Sequence, residues 1–305
     1  MFFVISFGGL IWTVVAWTIG ALLLGVLLLG VFAFFYAFVL APRFLFPKKP
    51  QTQPYSGQKA PRGLFRAFVR EVTTGFLFYG SYLLWPLIEG YNLSSGRGKQ
   101  PIIFVHGYAA SRSCWWWFMR KLARRGVDRP MYALQYNWLV AVEDSAQLLA
   151  GLIDRALKEQ GSNQVDIVAH SWGGFLARWC IERLNMGAKV RLLIMLATPN
   201  QGTWVTLYGC CKPAEQMSIG SSVVDLLKTA PPAPPYVTIW TNCDEIVSPA
   251  AFSRIADPDG NPVVEREFQG MGHMTLLRDN DVASLTAELL AAANRYDAPN
   301  NPMGV

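Results

Sequence analysis

The sequence predicts an α/β fold with a mostly parallel sheet and helices on both faces, preceded by an N-terminal transmembrane segment. Two observations carry this reading. From Pro101 onward, short apolar runs of strand length alternate with longer segments of helical spacing. That is the pattern of a parallel sheet covered on both faces by its crossovers. Before it, Met1 to Pro42 contains no Asp, Glu, Lys, Arg or His.

The alternation runs as follows. Ile102–Val105 reads as a short buried strand and Trp115–Arg125 as a helix. Met131–Tyr136 is a strand. Val142–Glu159 is a helix, with apolar residues at Leu148, Leu149, Leu152, Ile153 and Leu157. Val165–Ala169 is a strand followed by a helix through Leu184, and Val190–Ala197 is a further strand. A Pro-rich break at 231–235 precedes strand Tyr236–Trp240. Val263–Phe268 is the last strand and Val282–Asn294 the last helix.

The N-terminal run explains an unusual composition. Of 305 residues, 52% are hydrophobic and 16% charged, against about 25% charged in an ordinary soluble chain. A bilayer core needs about 20 residues of helix. Residues 1–42 therefore suit one long span or a hairpin of two, with Gly20 at a possible turn. A cleaved signal peptide is the alternative. The absence of a basic leader, the length of the run and the lack of an A-x-A site argue against it.

Seven cations and no acid lie between Arg43 and Arg70, while the whole chain carries a net charge of +6. The basic character is thus a juxtamembrane property and no nucleic-acid footprint. It suits anionic lipid headgroups and predicts a cytoplasmic position for this segment. The uncharged run from Val72 to Ile88 is broken by Thr73, Thr74, Ser81 and Pro86. It reads as an interfacial or packed helix. A third crossing there would move the following domain to the other side of the membrane. The expected organisation is a transmembrane anchor over 1–42, a basic linker and interfacial helix over 43–99, a catalytic domain over 100–296 and a tail over 297–305. The expected location is a bacterial inner membrane, with the catalytic domain on the cytoplasmic side.

Five cysteines, an odd number with Cys210 and Cys211 adjacent, show no C-x-x-C or Cys/His metal spacing. No metal and no disulfide framework is expected.

Four segments carry chemistry. In Val165-Asp166-Ile167-Val168-Ala169-His170-Ser171-Trp172-Gly173-Gly174 an apolar strand ends, a serine appears and a helix begins. This small-x-Ser-x-Gly junction is a nucleophile elbow, which exposes Ser171 above the sheet at the positive end of a helix. Phe104-Val105-His106-Gly107-Tyr108 ends another buried strand. There the backbone N–H of Tyr108, with that of Trp172, would face a developing oxyanion, and His106 would hold the loop. His273 lies in the Gly-rich loop Gly270-Met271-Gly272-His273-Met274 after the last strand, where a general base could reach over the strand ends. Asp244, after strand Tyr236–Trp240, would hold the imidazole Nδ1–H. Glu245 is its nearest rival and Asp225 a distant one. All three histidines of the chain lie in these segments.

The motifs His106-Gly107-Tyr108, Ala169-His170-Ser171-Trp172-Gly173-Gly174, Ala197-Thr198-Pro199-Asn200-Gln201-Gly202-Thr203, Asp244-Glu245-Ile246-Val247 and Gly270–Leu277 together resemble those of bacterial lipases of the α/β-hydrolase superfamily. The likeness is greatest to the small, lidless kind with an Ala-His-Ser-x-Gly elbow, and it covers about residues 100–295. It implies an α/β-hydrolase fold and hydrolysis of carboxylic or triacylglycerol esters without a metal or organic cofactor. It assigns Ser171 as nucleophile, Asp244 and His273 as its partners, and Tyr108 and Trp172 as oxyanion donors. The long N-terminal apolar run, and Tyr and Trp at the oxyanion positions, depart from those secreted enzymes. The expected substrate is a lipid or other hydrophobic ester.

Acyl transfer or thioester hydrolysis at the same site is the nearest alternative. A catalytically dead scaffold on the membrane is the third. The aromatic stretches Cys114–Phe118 and Thr203–Tyr208 are candidates for lining an acyl pocket, and at least one of Trp115, Trp116 and Trp117 must face outward.

Overall fold

The computed structural model describes residues 15, 17–20, 64–83, 96–209, 211–227, 234–255 and 263–292. It divides into two units, Met1–Ser56 and Gly57–Val305. The expected anchor falls almost wholly outside the described residues, as do most of the basic linker and the tail. Among the described residues, no helix is long and apolar enough to cross a membrane.

Among the described residues, the second unit is built on six parallel strands: β1 (Ile102–Val105), β2 (Met131–Leu134), β3 (Val165–His170), β4 (Val190–Leu196), β5 (Tyr236–Thr241) and β6 (Val263–Phe268). Their spatial order is β2-β1-β3-β4-β5-β6. The chain moves outward from β1 to β2, then crosses back to place β3 on the other side of β1. The neighbouring C-terminal ends of β1 and β3 thus form a topological switch point, where open parallel sheets bind ligands. Val105 is in register with Ala169 and His170 with Leu196, so the strand ends finish level with one another.

Successive strand side chains point to opposite faces. On one face Ile103, Val105, Ile167, Ala169, Leu193 and Met195 pack against α3 (Val142–Gln160) and α4 (Trp172–Arg183). On the other face Ile102, Phe104, Val168, Ile194, Leu196 and Ile239 pack with residues of α2 (Trp116–Arg124) and α7 (Asn280–Ala292). Because both faces are covered, the inner strands read as near-continuous apolar runs, interrupted by Asp166 in β3, Arg191 in β4 and Thr238 in β5. The outer strand β6 instead carries Glu265, Arg266 and Glu267, charges that discourage edge-to-edge pairing.

Local chemistry sets the ends of α3. Glu143 and Asp144 lie in its first turn and Lys158 in its last, and Gly161 caps it with φ of 59°, a conformation that costs glycine little. Two short helices, α5 (Lys212–Gln216) and α6 (Ser222–Leu226), lie between β4 and β5.

The segment expected to be an interfacial or packed helix is α1 (Leu64–Leu83). Ala67, Glu71, Thr74 and Phe78 are buried, while Phe65, Val69, Thr73 and Leu77 are exposed. Each set recurs at spacings of three or four residues, so the two sets occupy opposite faces of one helix. Arg70 fastens α1 to the segment before α7 through an ion pair with Asp279 at 2.5 Å.

Strand β2 ends at Leu134, two residues earlier than the sequence suggested. Tyr136 leaves the ladder so that its hydroxyl can donate to the His106 carbonyl at 2.5 Å. The three tryptophans divide as helical geometry requires. Trp115 is fully buried and Trp117 is 44% exposed.

Candidate active site

Ser171 stands between β3 and α4 with φ of 54° and ψ of −125°. A side-chain-bearing residue adopts such a backbone only where its surroundings impose it, at a cost of order 1–3 kcal/mol. The surroundings are visible. The Ser171 N–H donates to the Leu196 carbonyl at 2.9 Å and the Ser171 carbonyl accepts from the Gly174 N–H at 2.9 Å. A Cβ on Gly173 would sit 2.4 Å from the carbonyl oxygens of both Val105 and His106. No side chain fits there, so α4 can pass this close to β1 only with glycine at 173.

The loop after β1 lies directly against Ser171. A Cβ on Gly107 would come within 2.9 Å of the Ser171 Cβ. His106 is fully buried, stacks on Tyr136 at 4.1 Å between centroids, and its Nδ1–H donates to the Gly107 carbonyl at 3.0 Å. Burial pushes the His106 imidazole down to about 4, so it is neutral at pH 7. That matches its expected part as a brace. The Tyr108 side chain is held by Trp138, edge-on at 4.8 Å, and by the Cys211 thiol, which donates to its hydroxyl at 3.2 Å. Trp172 is the first residue of α4, so its N–H is among the four that have no acceptor within the helix. The positive end of α4 points the same way.

Asp244 and His273 meet. The His273 Nδ1–H donates to Asp244, at 3.0 Å from Oδ2 and 3.1 Å from Oδ1. Asp244 Oδ1 also accepts from the N–H groups of Ile246 at 2.9 Å and Val247 at 2.7 Å. The carboxylate is thereby fixed and the imidazole tautomer set, which leaves Nε2 with its lone pair. Burial alone would lower the His273 pKa, but the charge and hydrogen bond of Asp244, with the charge of Glu71, raise it above the ordinary value.

His273 also lies against the residue preceding Ser171. The His170 and His273 rings are 4.6 Å apart and the His170 Nε2–H donates to the His273 carbonyl at 3.3 Å. Among the described residues the Ser171 hydroxyl makes no hydrogen bond in this conformation. The strand ends thus gather Ser171, Asp244 and His273 at one edge. Asp225 is exposed on α6.

Two buried acids take places that the sequence reading did not give them: Glu245, there a rival of Asp244, and Glu71. Glu245 accepts the backbone N–H of His273 at 3.1 Å. Glu71, on α1, accepts the N–H groups of Met274 and Thr275. The signal for Glu71 was slight: one acid heading an otherwise uncharged run. Among the described residues no cluster of His, Cys, Asp and Glu could hold a metal ion.

Residues 102–230 match a family described as the alpha/beta hydrolase family. Among solved structures, lipase B of Aspergillus fumigatus superposes with a TM-score of 0.59 at 20% identity, covering 71% of this chain and 57% of that one. The chain therefore spans little more than half the length of that lipase. The lin2722 product of Listeria innocua gives 0.50 at 17% identity, covering 63% of this chain and 94% of that one. A metagenome-derived lipolytic enzyme of the LipS and LipT pair gives 0.50 at 14% identity, covering 67% and 96%. The chain has the α/β-hydrolase fold, shared with solved lipases and lipolytic enzymes.

Proposed function

We propose that this chain is a membrane-attached serine hydrolase that cleaves carboxylic esters of lipids or other hydrophobic alcohols, with Ser171 as nucleophile. The observation that carries the reading is the Asp244–His273 hydrogen bond at 3.0 Å, with the His273 ring 4.6 Å from that of His170, the residue before a serine on a strained strand-to-helix turn. His273 Nε2 takes the Ser171 proton as Oγ attacks the ester carbonyl. The tetrahedral oxyanion rests on the N–H groups of Trp172 and Tyr108. Collapse breaks the bond to the alcohol oxygen, which leaves with the proton from Nε2. Water then gives a proton to Nε2, attacks the acyl-enzyme and releases the acid, and Ser171 regains its proton. Because the oxyanion donors are backbone groups, the unusual Tyr and Trp side chains do not disturb the chemistry.

Two features support a hydrophobic substrate at a membrane. The outer face of α1 presents Phe65 at 79% exposure, within the basic stretch 43–70, and Leu77 at 43%, just beyond it. Trp117 and Trp204 are each 44% exposed. Aromatic and cationic groups of this kind suit a lipid headgroup region. The uncharged residues 1–42 would supply the anchor.

The test is a panel of p-nitrophenyl esters of rising acyl length. The reading predicts turnover by the full chain in detergent, faster for medium and long acyl chains than for acetate. A folded protein that turns over none of them contradicts it.

A further inference from the structure

The loop that carries His273 is held from beneath by two carboxyl groups, both from outside the region of the family match. Glu71 is the one acid on α1 and is fully buried. Its Oε1 accepts the Met274 N–H at 2.5 Å, and its Oε2 accepts the Thr275 N–H at 2.9 Å and the Thr275 hydroxyl at 2.7 Å. Glu245, 3% exposed, accepts the His273 N–H at 3.1 Å and is hydrogen-bonded to Glu71. Three consecutive backbone N–H groups, at 273, 274 and 275, thus end on one carboxyl pair. Gly272 makes room for it, because a Cβ there would lie 2.4 Å from Glu71 Oε2.

Two buried carboxyls in contact cannot both be ionised. Glu71 receives three N–H and O–H donors from the His273 loop, which favour its charged form, whereas Glu245 receives two, the N–H of His273 and its own, and faces Asp244 as well. The proton therefore resides on Glu245, whose O–H donates to Glu71. Burial raises both groups, and Glu245 the further because Glu71 and Asp244 add repulsion. We propose that Glu71, paired with a protonated Glu245, is a positioning residue for His273: it fixes the loop and places a second negative charge behind the imidazole.

The charged and titratable groups around His273 are few. Asp244 and Glu245 come from the loop after β5, Glu71 from α1 and His170 from the end of β3. Arg70 and Asp279, nearby, neutralise each other at 2.5 Å. Burial and the neighbouring His273 keep His170 neutral, well below its usual range. The proposal rests on the reading of His273 as the base, but its test does not need turnover.

The chain has three histidines, and His106 and His170 are both held down by burial. In the full chain with 13C-labelled histidine, the imidazole resonance that titrates above the ordinary histidine value is that of His273, the other two being held below it. Its midpoint in the wild type should lie above 6.5. Glu245→Gln mimics the protonated acid, with an amide N–H for Glu71 and an oxygen for the His273 N–H, and should leave the midpoint in place. The double variant Glu71→Gln/Glu245→Gln removes the charge and prevents Glu245 from replacing it. It should lower the midpoint by about one pH unit. A folded double variant titrating like the wild type overturns the proposal. Should the double variant not fold, Glu245→Gln decides: an unmoved midpoint supports the assignment and a lowered one overturns it. Absence of ester turnover in the wild type would instead count against Ser171 as nucleophile and leave the titration to be judged alone.

Discussion

Ser171→Ala will lower ester turnover by on the order of 10⁶, judged by what nucleophile removal costs known serine hydrolases. Binding and the backbone oxyanion groups remain in the variant, so a residual rate above that of water is expected. The fold should survive. Alanine keeps the Cβ that touches the loop at Gly107, and it bears the φ of 54° no worse than serine does. The hydroxyl it lacks makes no hydrogen bond among the described residues. Initial rates on p-nitrophenyl esters, alongside thermal melting, separate the two effects. A variant that melts like the wild type and keeps more than about 1% of its rate would place the nucleophile elsewhere.

Asp166→Ala should have the largest effect on stability, with none on the chemistry of the folded fraction. Asp166 is fully buried in β3 and accepts from Arg191 Nε at 2.9 Å and from Arg129 Nη2 at 2.6 Å. Both guanidiniums also reach main-chain oxygens, Arg129 that of Gln100 at 2.8 Å and Arg191 that of Leu290 at 3.2 Å. Loss of the carboxylate leaves two largely buried cations facing each other without their counter-charge. Breaking a buried pair in this way costs about 3–5 kcal/mol, which lowers Tm by about 10 °C in a domain of this size. Asp166 lies five residues before Ser171, about 16 Å along an extended strand. Turnover per folded molecule should therefore be unchanged. Thermal unfolding and active-site titration measure both, and a Tm within about 2 °C of the wild type would contradict the account.

What the sequence made legible follows from physics that acts locally. Strands β1, β3, β4 and β5 were readable because a parallel strand buried on both faces must be apolar at nearly every position. Ser171 was readable because a strand, a small residue, a serine and a glycine in that order leave few other conformations. His273 and Asp244 were readable by their place after the last two strands, and their contact is now seen directly. The end of β2 was not readable, because Tyr136 is drawn away by a carbonyl 30 residues distant. Glu71 was hidden for a stronger reason. Whether an isolated acid on an apolar helix faces water or a loop more than 200 residues later depends on tertiary packing, and no local periodicity records it. Of the two readings of α1, the structure shows the packed one, with one face seated under the His273 loop and Phe65, Val69 and Leu77 exposed on the other.

The claim on which the rest depends is that the hydroxyl at 171 is chemically activated. Incubation of the full chain with a fluorophosphonate, followed by peptide mass mapping, tests it most directly. The account predicts a single phosphonylated residue, Ser171, formed faster as pH rises through the His273 midpoint above 6.5. A folded protein that forms no adduct, or forms it at another residue, would contradict it.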